Sequence, residues 1–342
     1  MRVVSYPRGF KEKLLGKFSQ LIDSGQVAEG PYYNAEDDYL TGRKSVPVTS
    51  CGAAIFALLA YQKYEMGKTH LVLQSNTMRG VYTVARLLDF EVIVCDCSKM
   101  PGFLAMDKEC YIETISDLTN KGLLQQVVTV YSVIGGYLSP TFVEIEEMTK
   151  SHDIPFIVDM AHAHYLDSII HSDYNHLAFS FYATKVLPVG EGGLISTKNL
   201  NMFKWIKRFL IYDRFNYSQE YGLNHRANEL TACFIHELMT NRNWRPFFKD
   251  RRIHIAKTYR EICEHNDIHY LDFEEATDYN AYKFVVFDEY ESVVEKNTLL
   301  TRFKPTSPVF AENIIDKKPV LPHWCPPTYS DLYDSFVEKK LS

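Results

Sequence analysis

Short apolar runs and stretches of helical periodicity alternate along most of this chain. Residues 10–23 (FKEKLLGKFSQLID) repeat apolar positions at helical spacing and stop at Ser24-Gly25. A β-type run at 46–48 passes at Thr49-Ser50 into a small-residue helix, CGAAIFALLAY. The pattern then predicts a strand at 70–73, a helix at 76–88, strands at 90–96 and 125–131, a helix at 142–151 and a strand at 155–159. Two further apolar runs, 177–181 and 194–195, read as buried strands. The acidic stretch 35–41 reads as a helix. Later helices are expected at 200–211, from 221–230 to about 243, and at 248–264, followed by a strand at 282–287 among Pro-rich loops.

Such alternation argues for an α/β fold with a mostly parallel sheet and helices on both faces. A change of pattern near 245 separates a large domain, 1–245, from a smaller α+β domain, 246–342, with about the first 25 residues packing on the smaller one. Composition narrows the class. Of 342 residues 46% are hydrophobic and 23% charged, the net charge is −6, and no Lys/Arg block offers a nucleic-acid stripe. No apolar run approaches the roughly 20 residues of a membrane span, and the start lacks a signal-peptide core. The seven cysteines form no CxxC pair. A cytoplasmic protein is expected, which makes the Asn216-Tyr217-Ser218 sequon incidental.

Several motifs fail. Gly67-Lys68-Thr69 lacks the earlier glycine of a phosphate loop, since Gln62 stands there. No GxGxxG follows a strand. His162 and His164 lack a third metal ligand at a recognisable spacing, so no metal site is expected.

Three elements remain. The helix that begins at Thr49-Ser50 has Gly52, Ala53 and Ala54 in its first turn, which leaves amides open to a phosphate. Asp159 ends the strand 155–159, where open parallel sheets place ligand groups. Lys185 follows the run 177–181 and precedes the turn Gly190-Glu191-Gly192-Gly193. A phosphate site, a strand-end acid and a loop amine are the requirements of pyridoxal phosphate (PLP): its ring nitrogen needs a carboxylate and its aldehyde a lysine.

At this point the chain resembles the DegT/DnrJ/EryC1/StrS group of PLP-dependent sugar aminotransferases, of fold type I. SGQVAEGP (24–31), TSCGAAIFAL (49–58) and QSNTMRGVYTVARLLDFEVIVCD (74–96) are similar to its early segments. DMAHA (159–163) resembles D-A-A-Q/H-A, FSFYATKVLPVGEGG (179–193) matches F-S-F-x-x-x-K-x-x-x-x-G-E-G-G, and YGLNHRANELTAC (221–233) is similar to G-x-N-x-R-x-x-E-x-x-A-A. The resemblance implies that Lys185 is the Schiff-base lysine and proton shuttle, and that Asp159 pairs with the ring nitrogen. It places His162 beside the ring near its phenolic oxygen. It assigns the phosphate to Ser180 with the amides of Gly52 and Ala53, and gives Asn224 to the phosphate of a neighbouring subunit, hence a homodimer with shared active sites. The implied substrates are glutamate as donor and a keto-sugar nucleotide as acceptor.

Two positions depart from the family. Ala53 replaces a Thr or Ser, losing a hydrogen bond worth about 1.5–3 kcal/mol to a charged group. Met78 replaces the aromatic residue that stacks on the ring, a contact worth about 0.5–1.5 kcal/mol. The residues leave two alternatives open: another PLP reaction on the same scaffold, and a PLP-binding protein without turnover.

Overall fold

The computed structural model describes residues 5–97, 105–215, 219–265 and 270–284. The sequon at 216–218, Cys325, the end of the strand expected at 282–287, and most of the domain expected over 246–342 lie outside them.

Helix α1 (Phe10–Ser24) ends at Gly25, whose φ of +70° closes the helix. Strand β1 (Lys44–Val48) leads into α2 (Cys51–Ala60), and a π-helical turn extends α2 through Glu65. Next come β2 (His70–Gln74), α3 (Arg79–Leu87), β3 (Glu91–Cys95), α4 (Lys108–Asn120) and β4 (Val127–Ser132). They are followed by β5 (Tyr137–Leu138), α5 (Thr141–Ser151), β6 (Phe156–Asp159), the short α6 (Asp167–Ile170), β7 (His176–Ser180) and β8 (Gly193–Thr197). Helices α7 (Leu200–Phe209), α8 (Glu229–Thr240) and α9 (Arg251–His265) precede the two-residue β9 (Asp278–Tyr279).

Among the described residues, seven strands form one sheet in the order β1-β8-β7-β6-β4-β2-β3. The pairs from β7 through to β3 are parallel, while β8 runs antiparallel to both β7 and β1. Successive strand residues enter opposite cores. In β6, Phe156 and Val158 join one cluster with α1, α4, α5 and α8, and Ile157 joins the other with α2, α3 and α7. Burial on both faces is why these strands read as unbroken apolar runs.

Three expectations are corrected. Residues 35–41 form turns, with three-residue bonds such as Asp38 N–H to the Ala35 carbonyl. The turns deliver Arg43 into the interior, where its guanidinium donates to the carbonyls of Ser172 (2.8 Å) and Asn175 (2.6 Å), and a continued helix would carry it away. Helix α8 begins at Glu229 rather than near 221, because the preceding segment pairs with the end of β1: Thr49 N–H donates to the His225 carbonyl at 2.9 Å. Residues 282–284 are not in a strand; the strand there is β9, pairing with β5.

Candidate active site

The last residue of β6 is Asp159, the last of β7 is Ser180, and α2 starts between them at Cys51. Carboxyl ends of parallel strands and a helix N-terminus therefore share one corner, which open α/β sheets use for ligands. A cavity of about 730 Å³ opens there, lined by Ser50, Gly52, Met78, Asp159, His162, Ser180 and Lys185 among others. That volume accommodates a cofactor together with part of a substrate.

Local sequence explains the corner. Ser50 is extended and caps α2, its Oγ accepting the Ala53 N–H at 3.1 Å. Gly193 lies against that cap, where a Cβ would stand 2.3 Å from the Ser50 carbonyl oxygen, so only glycine permits the approach. The turn carrying Lys185 is closed by its own N–H on the Tyr182 carbonyl (2.8 Å), and the loop folds back through Phe181 N–H to the Gly192 carbonyl (2.9 Å). The lysine is thus held over the cavity by backbone bonds at both ends of its loop.

Electrostatics distinguish the groups. Burial pushes the Asp159 carboxyl above its ordinary value, opposed by the Ala161 N–H (2.9 Å), by Lys185 and by the Cys51 thiol. Burial and the adjacent carboxylate push the Cys51 thiol well up, so the thiol is the donor in that pair. Burial, then Lys185, Lys283 and His164, hold the His162 imidazole well below its usual range. Its Nδ1 accepts the Gly135 N–H at 3.2 Å, which places the proton of the neutral ring on Nε2. His164 belongs to the core: its ring packs against Phe179 and Phe181, and burial lowers its pKa to about 3.

The structure gathers Gly52, Met78, Asp159, His162, Ser180 and Lys185 at one cavity and leaves two expected residues outside its lining. Ala53 is buried with its amide on the Ser50 oxygen. Asn224 is exposed beside β1, its Oδ1 accepting from Arg226 at 2.7 Å. Sequence reasoning missed Tyr282 and Lys283, which line the cavity from beyond the expected domain boundary. It also missed the part played by Glu229, although that residue stands inside the quoted 221–233 segment. Its fully buried carboxylate accepts the N–H groups of Gly30 and Tyr33, both at 3.0 Å, and of Tyr32.

These groups fit PLP. A buried acid whose charge is opposed by desolvation is matched by a protonated ring nitrogen. Lys185 supplies the amine. Gly52 offers a first-turn amide, and Ser50, while accepting from Ala53, keeps its own hydroxyl proton for a phosphate oxygen.

Comparison with known proteins agrees. A curated relative, an uncharacterised protein of Methanocaldococcus jannaschii, is 28% identical over 182 residues, or 48% of this chain and 46% of that protein. The chain thus matches about half the length of that relative. Among solved structures, Bacillus subtilis NtdA with its bound cofactor PMP superposes with a TM-score of 0.72 at 16% identity, over 98% of this chain and 82% of that one. Helicobacter pylori PseC, an aminotransferase involved in the biosynthesis of pseudoaminic acid, gives 0.70 at 15% identity, over 98% and 86%. The sequence profile of one family matches residues 10–321, most of the chain. The protein therefore belongs to the DegT/DnrJ/EryC1/StrS aminotransferase family.

Proposed function

We propose that this protein is a PLP-dependent aminotransferase that carries an amino group from glutamate to a keto-sugar borne on a nucleotide, in amino-sugar biosynthesis. The observation that carries this reading is the convergence of Asp159, His162, Lys185 and the start of α2 on one cavity. When bound, PLP supplies an electron sink for charge developing at the substrate carbon. Asp159 holds the ring nitrogen in its protonated form. His162, with its proton on Nε2, donates toward the phenolic oxygen. Ser50, Gly52 and Ser180 hold the phosphate, and Lys185 moves a proton at the substrate carbon, a role worth about 10²–10⁴-fold in rate. Ile55, Val81 and Val84 add apolar wall to the cavity.

Asn224, exposed and off its own cavity, suits a contribution to a second copy's phosphate site across a twofold axis. The sugar acceptor is supported by the Helicobacter pylori neighbour, whose pathway builds pseudoaminic acid. The six described cysteines are all free thiols, which suits a reducing cytoplasm. Among the described residues no helix is long and apolar enough to cross a membrane.

The test is spectroscopic. Purified protein given PLP should acquire the visible absorbance of lysine-bound cofactor, and glutamate should convert it to the amine form. An unchanged spectrum with PLP, or the same absorbance in Lys185→Ala, would sink the reading.

A further inference from the structure

Five of the six described cysteines are buried, and Cys110 is the one among them that reaches the surface. It stands in the first turn of α4, where its N–H donates to the capping Asp107 carboxylate at 2.8 Å. Its sulfur accepts the Asp96 N–H at 3.3 Å, at the end of β3. Cys95, the last residue of β3, is fully buried. Its S–H faces the Asp107 carbonyl at 3.7 Å and is hydrogen-bonded to the Cys110 sulfur. Backbone holds the two elements in this contact. Asp107 N–H donates to the Asp96 carbonyl at 2.8 Å, and Cys97 forms an antiparallel bridge with Met106. Two sulfurs from separate elements therefore meet at the corner where β3 approaches α4.

The two thiols are unequal. The bond from Cys95, opposed by burial and seconded by the Asp96 N–H, brings the Cys110 thiol down to about 6. The first turn of a helix adds the favourable end of its dipole for a thiolate. Cys95 is pushed far up, first by the same bond and then by burial. At neutral pH the corner thus holds a partly exposed thiolate in contact with a buried thiol. That is the arrangement of a reactive cysteine beside a resolving one. The neighbouring Cys97 is engaged elsewhere, its sulfur accepting the Asn76 N–H at 3.4 Å and the Ser75 hydroxyl at 3.5 Å.

We propose that Cys95 and Cys110 form a reversible oxidation site, at which hydrogen peroxide converts the two thiols into one intramolecular disulfide. The Cys110 thiolate attacks a peroxide oxygen, the O–O bond breaks, and Cys110 becomes a sulfenic acid. The hydroxide released takes the Cys95 proton and leaves as water. The Cys95 thiolate then attacks the Cys110 sulfur, the S–S bond forms, and the S–O bond breaks. The second hydroxide takes a proton from solvent and leaves as water. Two electrons pass from the sulfur pair to the peroxide. A dithiol reductant returns both thiols by exchange, so in a reducing compartment the pair rests reduced. The inference stands independently of the aminotransferase reading.

The test treats reduced, PLP-loaded full-length protein with hydrogen peroxide at neutral pH, blocks the remaining thiols with N-ethylmaleimide and maps the peptides by mass spectrometry. The expected product is a peptide pair joined through Cys95 and Cys110. It should vanish after a dithiol reductant, and the protein should run as a single chain on a non-reducing gel. Cleavage between Cys95 and Asp96 in the fragment spectrum tells Cys95 from Cys97. Cys95→Ala and Cys110→Ser should each abolish the link, and Cys97→Ala should keep it. A second measurement needs no variant. Alkylation of wild-type Cys110 by iodoacetamide should be fast at neutral pH and fall off as pH drops through about 6. An alkylation midpoint at the ordinary thiol value of 9.0 overturns the proposal. So does peroxide treatment that leaves both thiols reduced, joins Cys110 to a different cysteine or to another chain, or carries it to sulfinic acid without the link.

Discussion

The sulfur of Cys51 lies 3.5 Å from Oδ1 of Asp159, so the first residue of α2 touches the last residue of β6. A small thiol there lets the helix start press against the strand end, which brings the phosphate-side amides and the ring-side acid to one cavity. Asp159 is 7% exposed and its carboxyl is raised by burial. An acid with a raised folded-state pKa binds its proton more readily folded than unfolded. Its contribution to stability therefore grows as pH falls through the raised value and levels off below the ordinary 3.8.

Asp159→Asn should accordingly make the cofactor-free protein more stable than wild type at neutral pH, with the difference closing toward acid. Transamination should fall by about 10²–10³-fold, because a preorganised charge is lost. Denaturant unfolding of both proteins at neutral and acid pH, with kcat measured alongside, checks both halves. A variant that is less stable at neutral pH and fully active would contradict the assignment.

Met78 is 65% exposed and lines the cavity. Met78→Tyr should tighten PLP binding by up to about eightfold, an added aromatic contact of about 0.5–1.5 kcal/mol less a thioether contact of about 0.3 kcal/mol or more. Equilibrium dialysis of PLP against both proteins reads this directly, and weaker binding by the tyrosine variant would place the ring elsewhere.

Glu229→Ala should cost about 3 kcal/mol or more, since it strands the buried N–H groups that the carboxylate accepts from the 30–33 loop. Glu229→Gln, which keeps one acceptor oxygen, should lose less. Urea midpoints rank the two variants; equal midpoints would mean that water takes over the amides.

Glu237 joins α1 to α8. Burial would raise its carboxyl, but hydrogen bonds from Asn241, Lys17, Trp244 and Lys13 prevail and bring it to about 2. The folded value is depressed, so this stabilisation is complete above 4.5 and is lost as pH falls from 4.5 toward 2. Glu237→Gln should lower the melting temperature by a few degrees at neutral pH and flatten its decline through that acid window. Parallel acid-side slopes for variant and wild type would refute the linkage.

Much of the scaffold was legible before any coordinates. The apolar runs that became β2, β4, β6 and β7 are continuous because both sheet faces are covered there, while the edge strand β3 is half-buried. Helix α4 went unread although Tyr111, Ile115 and Leu118 repeat at helical spacing and Asp107 caps it, accepting the Cys110 N–H at 2.8 Å. The turns at 35–41 were misread because acidic residues are compatible with either state locally, and the buried position of Arg43 decided between them.

By itself the sequence determined the order β6–Asp159, β7–Ser180 and loop–Lys185, because strand periodicity, turn glycines and a cap serine are all local signals. The 221–233 segment likewise carried the family resemblance, but not the task of Glu229. Only the tertiary structure decided that Cys51 faces Asp159, that the Gly135 amide sets the tautomer of His162, and that Asn280 brings Tyr282 and Lys283 to the cavity. These are contacts between residues up to 118 positions apart. No local propensity encodes such a contact, since it exists only once the sheet has set the spacing between the elements that carry its two ends.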